Sequence, residues 1–156
     1  MTDSATEKKI TVRILQPHML SEVLRFGSTA FANSNMAPLG YNSVIARKTL
    51  RNVMGDPTMR AFTAWIGDKC CGVIIGMLAP MPWCGGLCAT DLVFAADAGG
   101  DLLLDKFICW AKENKVVRID MAVSDSGVRA GYDRLFSSRG MARAGGVYYW
   151  QVEGPR

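Results

Sequence analysis

Histidine is nearly missing from this chain, since His18 is the only one. No apolar run approaches the roughly 20 residues needed to cross a bilayer, so no membrane partner is expected. Met1 to Lys9 is polar and lacks an apolar signal core. Export is therefore not expected, and the reading is of a cytoplasmic protein with a flexible tail over residues 1–9. Internal repeats and low-complexity segments are absent, which excludes a repeat array and leaves a single domain over residues 10–156. Excess charge is also scarce. The net charge is +4 and the sequence pI is near 8.9, compatible with an anionic ligand but too weak to argue for nucleic acid.

Cysteine is present in an odd number: Cys70, Cys71, Cys84, Cys88 and Cys109. Without a signal peptide, that count points to reduced thiols rather than a disulfide framework. Adjacent Cys70 and Cys71 would face opposite sides of a strand, and His18 is far away in sequence, so no metal site is expected. The cysteines read as buried apolar residues.

What the chain does have is core-building capacity. Of its 156 residues 49% are hydrophobic and 21% charged, which suits one ordinary domain. Ile10 to Ile14 alternates as a half-buried strand. Pro17 opens a helix with Met19, Leu20, Val23, Leu24, Phe26 and Ala30 at helical spacing, and His18 caps or surfaces its start. A loop from Asn33 to Tyr41 leads to a second helix ending at Met54, with Val44, Ile45, Thr49, Leu50 and Val53 as its apolar side. Arg47, Lys48 and Arg51 form its wet side. Arg60 to Ile66, Cys71 to Ala79 and Leu87 to Phe94 make a three-stranded meander, its middle strand almost wholly apolar and therefore central. Gly67-Asp68-Lys69 turns the first hairpin. Pro80 to Gly86 is an exposed loop unusually rich in apolar residues.

The most patterned stretch follows. A strand ending near Phe94 runs into a turn with Gly99 and Gly100, then a helix whose buried stripe is Leu103, Leu104, Phe107, Ile108, Trp110 and Ala111. Val116 to Val123 is the next strand, parallel to the one before the helix. A short helix through Val128, Tyr132, Leu135 and Phe136 closes at Gly140, and Val147 to Val152 is a last strand. The order is α+β with one parallel crossover.

This order resembles the GNAT superfamily of acyl-CoA-dependent N-acyltransferases, from Ile10 to Val152. The likeness rests on the glycine turn and its helix ending Trp110-Ala111-Lys112-Glu113-Asn114, on Leu135-Phe136-Ser137-Ser138-Arg139-Gly140-Met141, and on the aromatic strand Val147 to Trp150. It implies a mixed, mostly antiparallel central sheet flanked by helices, with strands splayed at a cofactor cleft. It further implies acetyl-CoA, or another acyl-CoA, as cofactor and an amine as acceptor. Ala98, Gly99, Gly100 and Asp101 would form the pyrophosphate turn, and Val93, Phe94 and Ala95 would line the pantetheine arm. Asp91 would be the general base. Phe136 stands where the family has its tyrosine, so Tyr132, one helical turn earlier, is the candidate acid, with Tyr148 and Tyr149 further off.

Asp97 and Asp101 in the turn would repel phosphate, and Ala95 stands where the family has Arg or Gln. The residues therefore leave a second reading: a catalytically inactive GNAT-like structural or interaction protein, for example a virion component. The loop Pro80 to Gly86 and the 9 methionines would then serve a protein partner or a homo-oligomer. Arg129, Arg134, Arg139 and Arg143 do not make one helical stripe, so a nucleic-acid partner is not expected.

Overall fold

A computed structural model describes residues 9–122 and 129–145. The expected last strand, with Tyr148 and Tyr149, lies outside the described residues, as do residues 1–8.

Five strands form one sheet in the order β1-β2-β3-β4-β5: β1 (Ile10–Ile14), β2 (Met59–Ile66), β3 (Lys69–Pro80), β4 (Leu87–Ala96) and β5 (Arg118–Asp120). The first three pairings are antiparallel, and β4 runs parallel to β5. The parallel step exists because α3 (Gly100–Glu113) carries the chain back along the sheet between them. The helices α1 (Leu20–Ala32), α2 (Ser43–Gly55) and α4 (Arg129–Ser137) complete the α+β architecture.

Each sheet face has its own core. Leu20, Val23, Leu24 and Phe26 of α1 and Leu50 and Val53 of α2 pack with Trp65, Cys70, Val73 and Ile75. On the opposite face Leu103, Leu104, Phe107, Trp110 and Ala111 of α3 and Phe136 of α4 pack with Phe62, Cys71 and Ile74. Adjacent Cys70 and Cys71 thus do serve opposite faces, as strand alternation requires. Leu103, Leu104 and Phe107 are fully buried, each stabilising the fold by about 1.5–3 kcal/mol.

Two glycines set how closely α3 lies. A β-carbon on Gly76 would stand 2.5 Å from Phe107 Cε2 and 2.6 Å from Trp110 Cζ3, and one on Gly72 would stand 2.8 Å from Leu103 Cδ1. Spaced four apart, Gly72 and Gly76 make a groove on the α3 face of β3 into which the helix stripe sinks.

The apolar side expected for α2 needs correction. Val44 is 76% and Ile45 62% exposed, Thr49 is exposed, and only Leu50 and Val53 are buried. The helix touches the sheet along its second half, so its first turn has no core to face. The cysteines divide too: Cys70, Cys71 and Cys88 are buried, whereas Cys84 and Cys109 are exposed. The fifth strand is shorter than the expected Val116 to Val123. It spans Arg118–Asp120 because its ladder with β4 stops there.

Candidate functional site

The β4–β5 ladder pairs Cys88 with Arg118, Ala89 with Ile119 and Thr90 with Asp120, and then ends, although β4 runs on to Ala96. Beyond Thr90 no backbone rung joins them among the described residues. Asp91 stands at the fork. Its carboxylate accepts the N–H of Ala122 at 2.9 Å, a side chain replacing the next rung of the ladder. Burial pushes the Asp91 carboxyl above its ordinary range, and the Ala122 bond only partly offsets that.

A bulge decides where Asp91 sits. Ile75 pairs with Val93 and Gly76 with Asp91, so Leu92 has no opposite number. Directly opposed residues share a face. Gly76 opens toward α3, and Ile74, opposite Phe94, packs there too. Asp91 and Phe94, three residues apart, therefore share the α3 face, which a regular strand would forbid. Val93 and Ala95 take the other face, opposite Ile75 and Val73.

Tyr132 comes to the same place from α4. Its ring meets Phe94 edge-on at 5.3 Å and lies 6.0 Å from Phe136, which itself lies 6.2 Å from Phe94. Burial raises the Tyr132 hydroxyl above its ordinary range, and the negative charges of Asp91 and Asp97 raise it further. Phe136 is 8% exposed and serves the core. Its helix ends with Met141 N–H donating to the Phe136 carbonyl at 3.1 Å, and Arg139 then reaches back to Asp105 of α3 with bonds of 2.9 and 3.0 Å.

The turn after β4 forms the other end of the site. Gly99 has φ 75°, a left-handed conformation, and a β-carbon there would press on Ile10 Cγ2 at 2.9 Å. No side chain caps α3. The N–H groups of Gly100, Asp101 and Leu102 therefore have no partner within the helix, which suits an anion. Ala98 lies in this turn. Its N–H donates to the Cys71 carbonyl at 3.3 Å, beside that of Asp97 at 2.8 Å. That amide is occupied in fixing the turn to β3. Asp97 and Asp101 are exposed, so their charges are spent largely on solvent.

The structure thus brings Asp91, Phe94 and Tyr132 together at the fork and sets Gly99, Gly100 and Asp101 at the far end of the same strand. Val93 and Ala95 line its opposite face. Sequence reasoning missed Ala122, Cys71 and the bulge at Leu92. Only the last left a signal, the unbroken apolar run Leu92-Val93-Phe94, in which alternation cannot be followed. Two concavities, of about 600 Å³ at the β2–β3 hairpin and about 500 Å³ beside Pro17 and Pro57, include neither Asp91 nor Tyr132.

The sequence matches no protein-family model and no curated protein. Solved structures do match. A transcriptional regulator from Bacillus halodurans C-125 superposes with TM-score 0.74 at 16% identity, over 92% of this chain and 100% of its own. A ribosomal-protein-alanine N-acetyltransferase from Brucella melitensis biovar Abortus 2308 gives 0.68 at 13% identity, over 93% and 100%. AAC(6')-Iy in complex with the bisubstrate analog CoA-S-monomethyl-acetylneamine gives 0.72 at 8% identity, over 94% and 99%. The chain has the GNAT fold. At these identities the likeness is one of architecture.

Proposed function

We propose that this chain is an N-acyltransferase that moves an acetyl group, or another acyl group, from coenzyme A to an amine. The observation that carries the reading is the fork after Thr90, with Asp91 at its apex and free helix-start amides at the end of the same strand. The complex of AAC(6')-Iy, which shares this fold, with a CoA bisubstrate analog supports it. So does the fit of the residues present: the amides of Gly100, Asp101 and Leu102 would hold the pyrophosphate, and the unpaired edge of β4 at Val93, Phe94 and Ala95 would pair with the pantetheine arm.

The chemistry then falls to two side chains. Asp91, whose carboxyl burial raises above its ordinary range, takes a proton from the acceptor ammonium. The amine nitrogen forms its bond to the thioester carbonyl carbon, the carbon–sulfur bond breaks, Tyr132 gives its proton to the departing thiolate, and the second proton leaving the nitrogen restores the Tyr132 hydroxyl. A raised hydroxyl pKa keeps Tyr132 protonated until that moment. The site belongs to one domain over residues 10–156, and among the described residues no helix is long and apolar enough to cross a membrane.

The aromatic group Phe94, Tyr132 and Phe136, which fills the α4 side of the fork, favours the second reading, an inactive GNAT-like protein that binds a protein partner. Titration calorimetry with acetyl-CoA and with coenzyme A separates the two. Binding below millimolar, with thiol release upon adding amines and a loss of at least 100-fold in Asp91→Asn, is expected. Absence of binding at millimolar ligand would sink the acyltransferase reading.

A further inference from the structure

The sheet has an open corner where β1 ends and β2 begins. The last ladder pair of these strands is Ile14 with Phe62, and the N–H of Leu15 adds one bond to the Ala61 carbonyl at 3.0 Å. Pro17 then starts the turn that leads into α1, and α2 ends at Gly55, just before Asp56 and Pro57. Met59 and Arg60 therefore pair with β3 on one side and with no residue of β1 on the other. The concavity of about 500 Å³ lies at this corner, with Ile14, Leu15, Pro17, Met54, Pro57 and Arg60 in its wall.

Arg60 is the group that the fold does not use. Its Nε is buried and has no hydrogen-bond partner, the one such side-chain atom among the described residues. Its two terminal nitrogens reach solvent and make no hydrogen bond or ion pair among the described residues. The salt bridges there belong to Arg25, Arg118 and Arg139. Asp56, the acid on the same concavity, spends its Oδ1 on the N–H and hydroxyl of Thr58 at 2.8 and 2.7 Å, and Arg60 has no part in the lowering of its carboxyl. Burying part of a guanidinium without an acceptor costs free energy, and such an orphan in the wall of a concavity is placed where a ligand can relieve it. The planar fork of a guanidinium matches the two oxygens of a carboxylate, and the wall around it is mostly apolar.

We propose that this corner binds a small apolar monocarboxylate, with its carboxylate on the terminal nitrogens of Arg60 and its hydrocarbon body on Ile14, Pro17, Met54 and Pro57. A neutral ligand would leave Arg60 unpaired, and a multiply charged anion would press its further charge on apolar walls. The corner includes neither Asp91 nor Tyr132, so this inference goes beyond the acyltransferase reading and does not depend on it.

The test titrates the full chain, without acetyl-CoA, with isovalerate and phenylacetate, with their primary amides and with inorganic phosphate. Calorimetry gives the affinity, and NMR of the arginine Nε–H groups gives the place. At least one carboxylate is expected to bind with a Kd below about 1 mM and to move the Arg60 signal, with its amide and phosphate at least about tenfold weaker. Arg60→Gln is expected to melt as a folded protein and to lose at least about tenfold in carboxylate affinity. Ile14→Glu, at a position 44% exposed, sets a fixed carboxylate on the wall and is expected to weaken binding likewise, which keeps the proposal testable if Arg60→Gln does not fold. Absence of binding by both carboxylates, equal binding of an amide or of phosphate, an Arg60 signal that stays in place, or full affinity in folded Arg60→Gln overturns the assignment.

Discussion

The carboxylate of Asp91 accepts the N–H of Ala122 at 2.9 Å, directly after the last backbone rung between β4 and β5. One half-buried acid thus joins the two strands directly after their ladder ends.

That arrangement has a stability signature. Burial raises the Asp91 carboxyl above the ordinary 3.8 in the folded state. A raised carboxyl favours folding fully below its unfolded pKa, and that contribution is lost as pH rises through the folded pKa. Asp91→Asn keeps an oxygen to accept from Ala122 and removes the partly buried charge. Urea unfolding across pH 3 to 8 should find the variant more stable than the parent at pH 7, with the difference shrinking as pH falls toward 3.8. A difference that does not change with pH would contradict the assignment.

Tyr132→Phe keeps the ring contacts with Phe94 and Phe136 and removes only the hydroxyl. Stability should change by less than about 1 kcal/mol, and acetyl-CoA affinity should not change. If Tyr132 protonates the thiolate, kcat falls by roughly 10²-fold with little change in KM. An unchanged kcat assigns the proton to another donor.

The groove at Gly72 and Gly76 gives a direct packing test. Gly76→Ala places a methyl 2.5 Å from Phe107 and 2.6 Å from Trp110, both in the core. The expected cost is about 1–3 kcal/mol. Gly100→Ala is the contrast, since its nearest atom is Ala96 Cβ at 3.5 Å, an ordinary contact. Thermal melts of the two variants should rank Gly76→Ala well below Gly100→Ala.

Arg139 and Asp105 join the end of α4 to α3. The Arg139 guanidinium holds the Asp105 carboxyl below its ordinary range. Its contribution is present above the unfolded pKa near 3.8 and is lost as pH falls. Half-exposure of Asp105 limits the pair to about 1 kcal/mol or less. Arg139→Gln should lower stability by that amount at low salt and by much less at 1 M salt.

Thiol chemistry should separate the cysteines. Burial pushes the Cys70 thiol up to about 11, and Cys71 and Cys88 are also raised by burial. Cys84 and Cys109 are exposed. Alkylation of the folded protein at pH 8 should label Cys84 and Cys109 rapidly and the other three only after unfolding.

The architecture was legible in the sequence where the pattern of burial is regular along an element. The stripe from Leu103 to Ala111 and the alternation of β1 each report a single partner face, and the unbroken apolar run of β3 reports a strand covered on both faces. Val44 and Ile45 misled because α2 meets the sheet over only its second half, and a helical pattern does not say how much of a helix is covered. The site was legible as a list of residues but not as an arrangement. That Ala98 turns its amide to Cys71, 27 residues earlier in the chain, follows from long-range packing that no local pattern encodes.

The unopposed Leu92 has a consequence for how this chain can vary. Its own side chain is half exposed and makes no demand on residue type. What matters is that one residue stays outside the ladder. If Leu92 took a place in the pairing, plain alternation from Phe94 would carry Asp91 to the face of Val93 and Ala95, with every residue intact. Deleting Leu92 would instead leave Asp91 opposite Gly76, on the α3 face. Substitution or loss of Leu92 should therefore keep the facing of Asp91, whereas a slip of register between Gly76 and Asp91 should not.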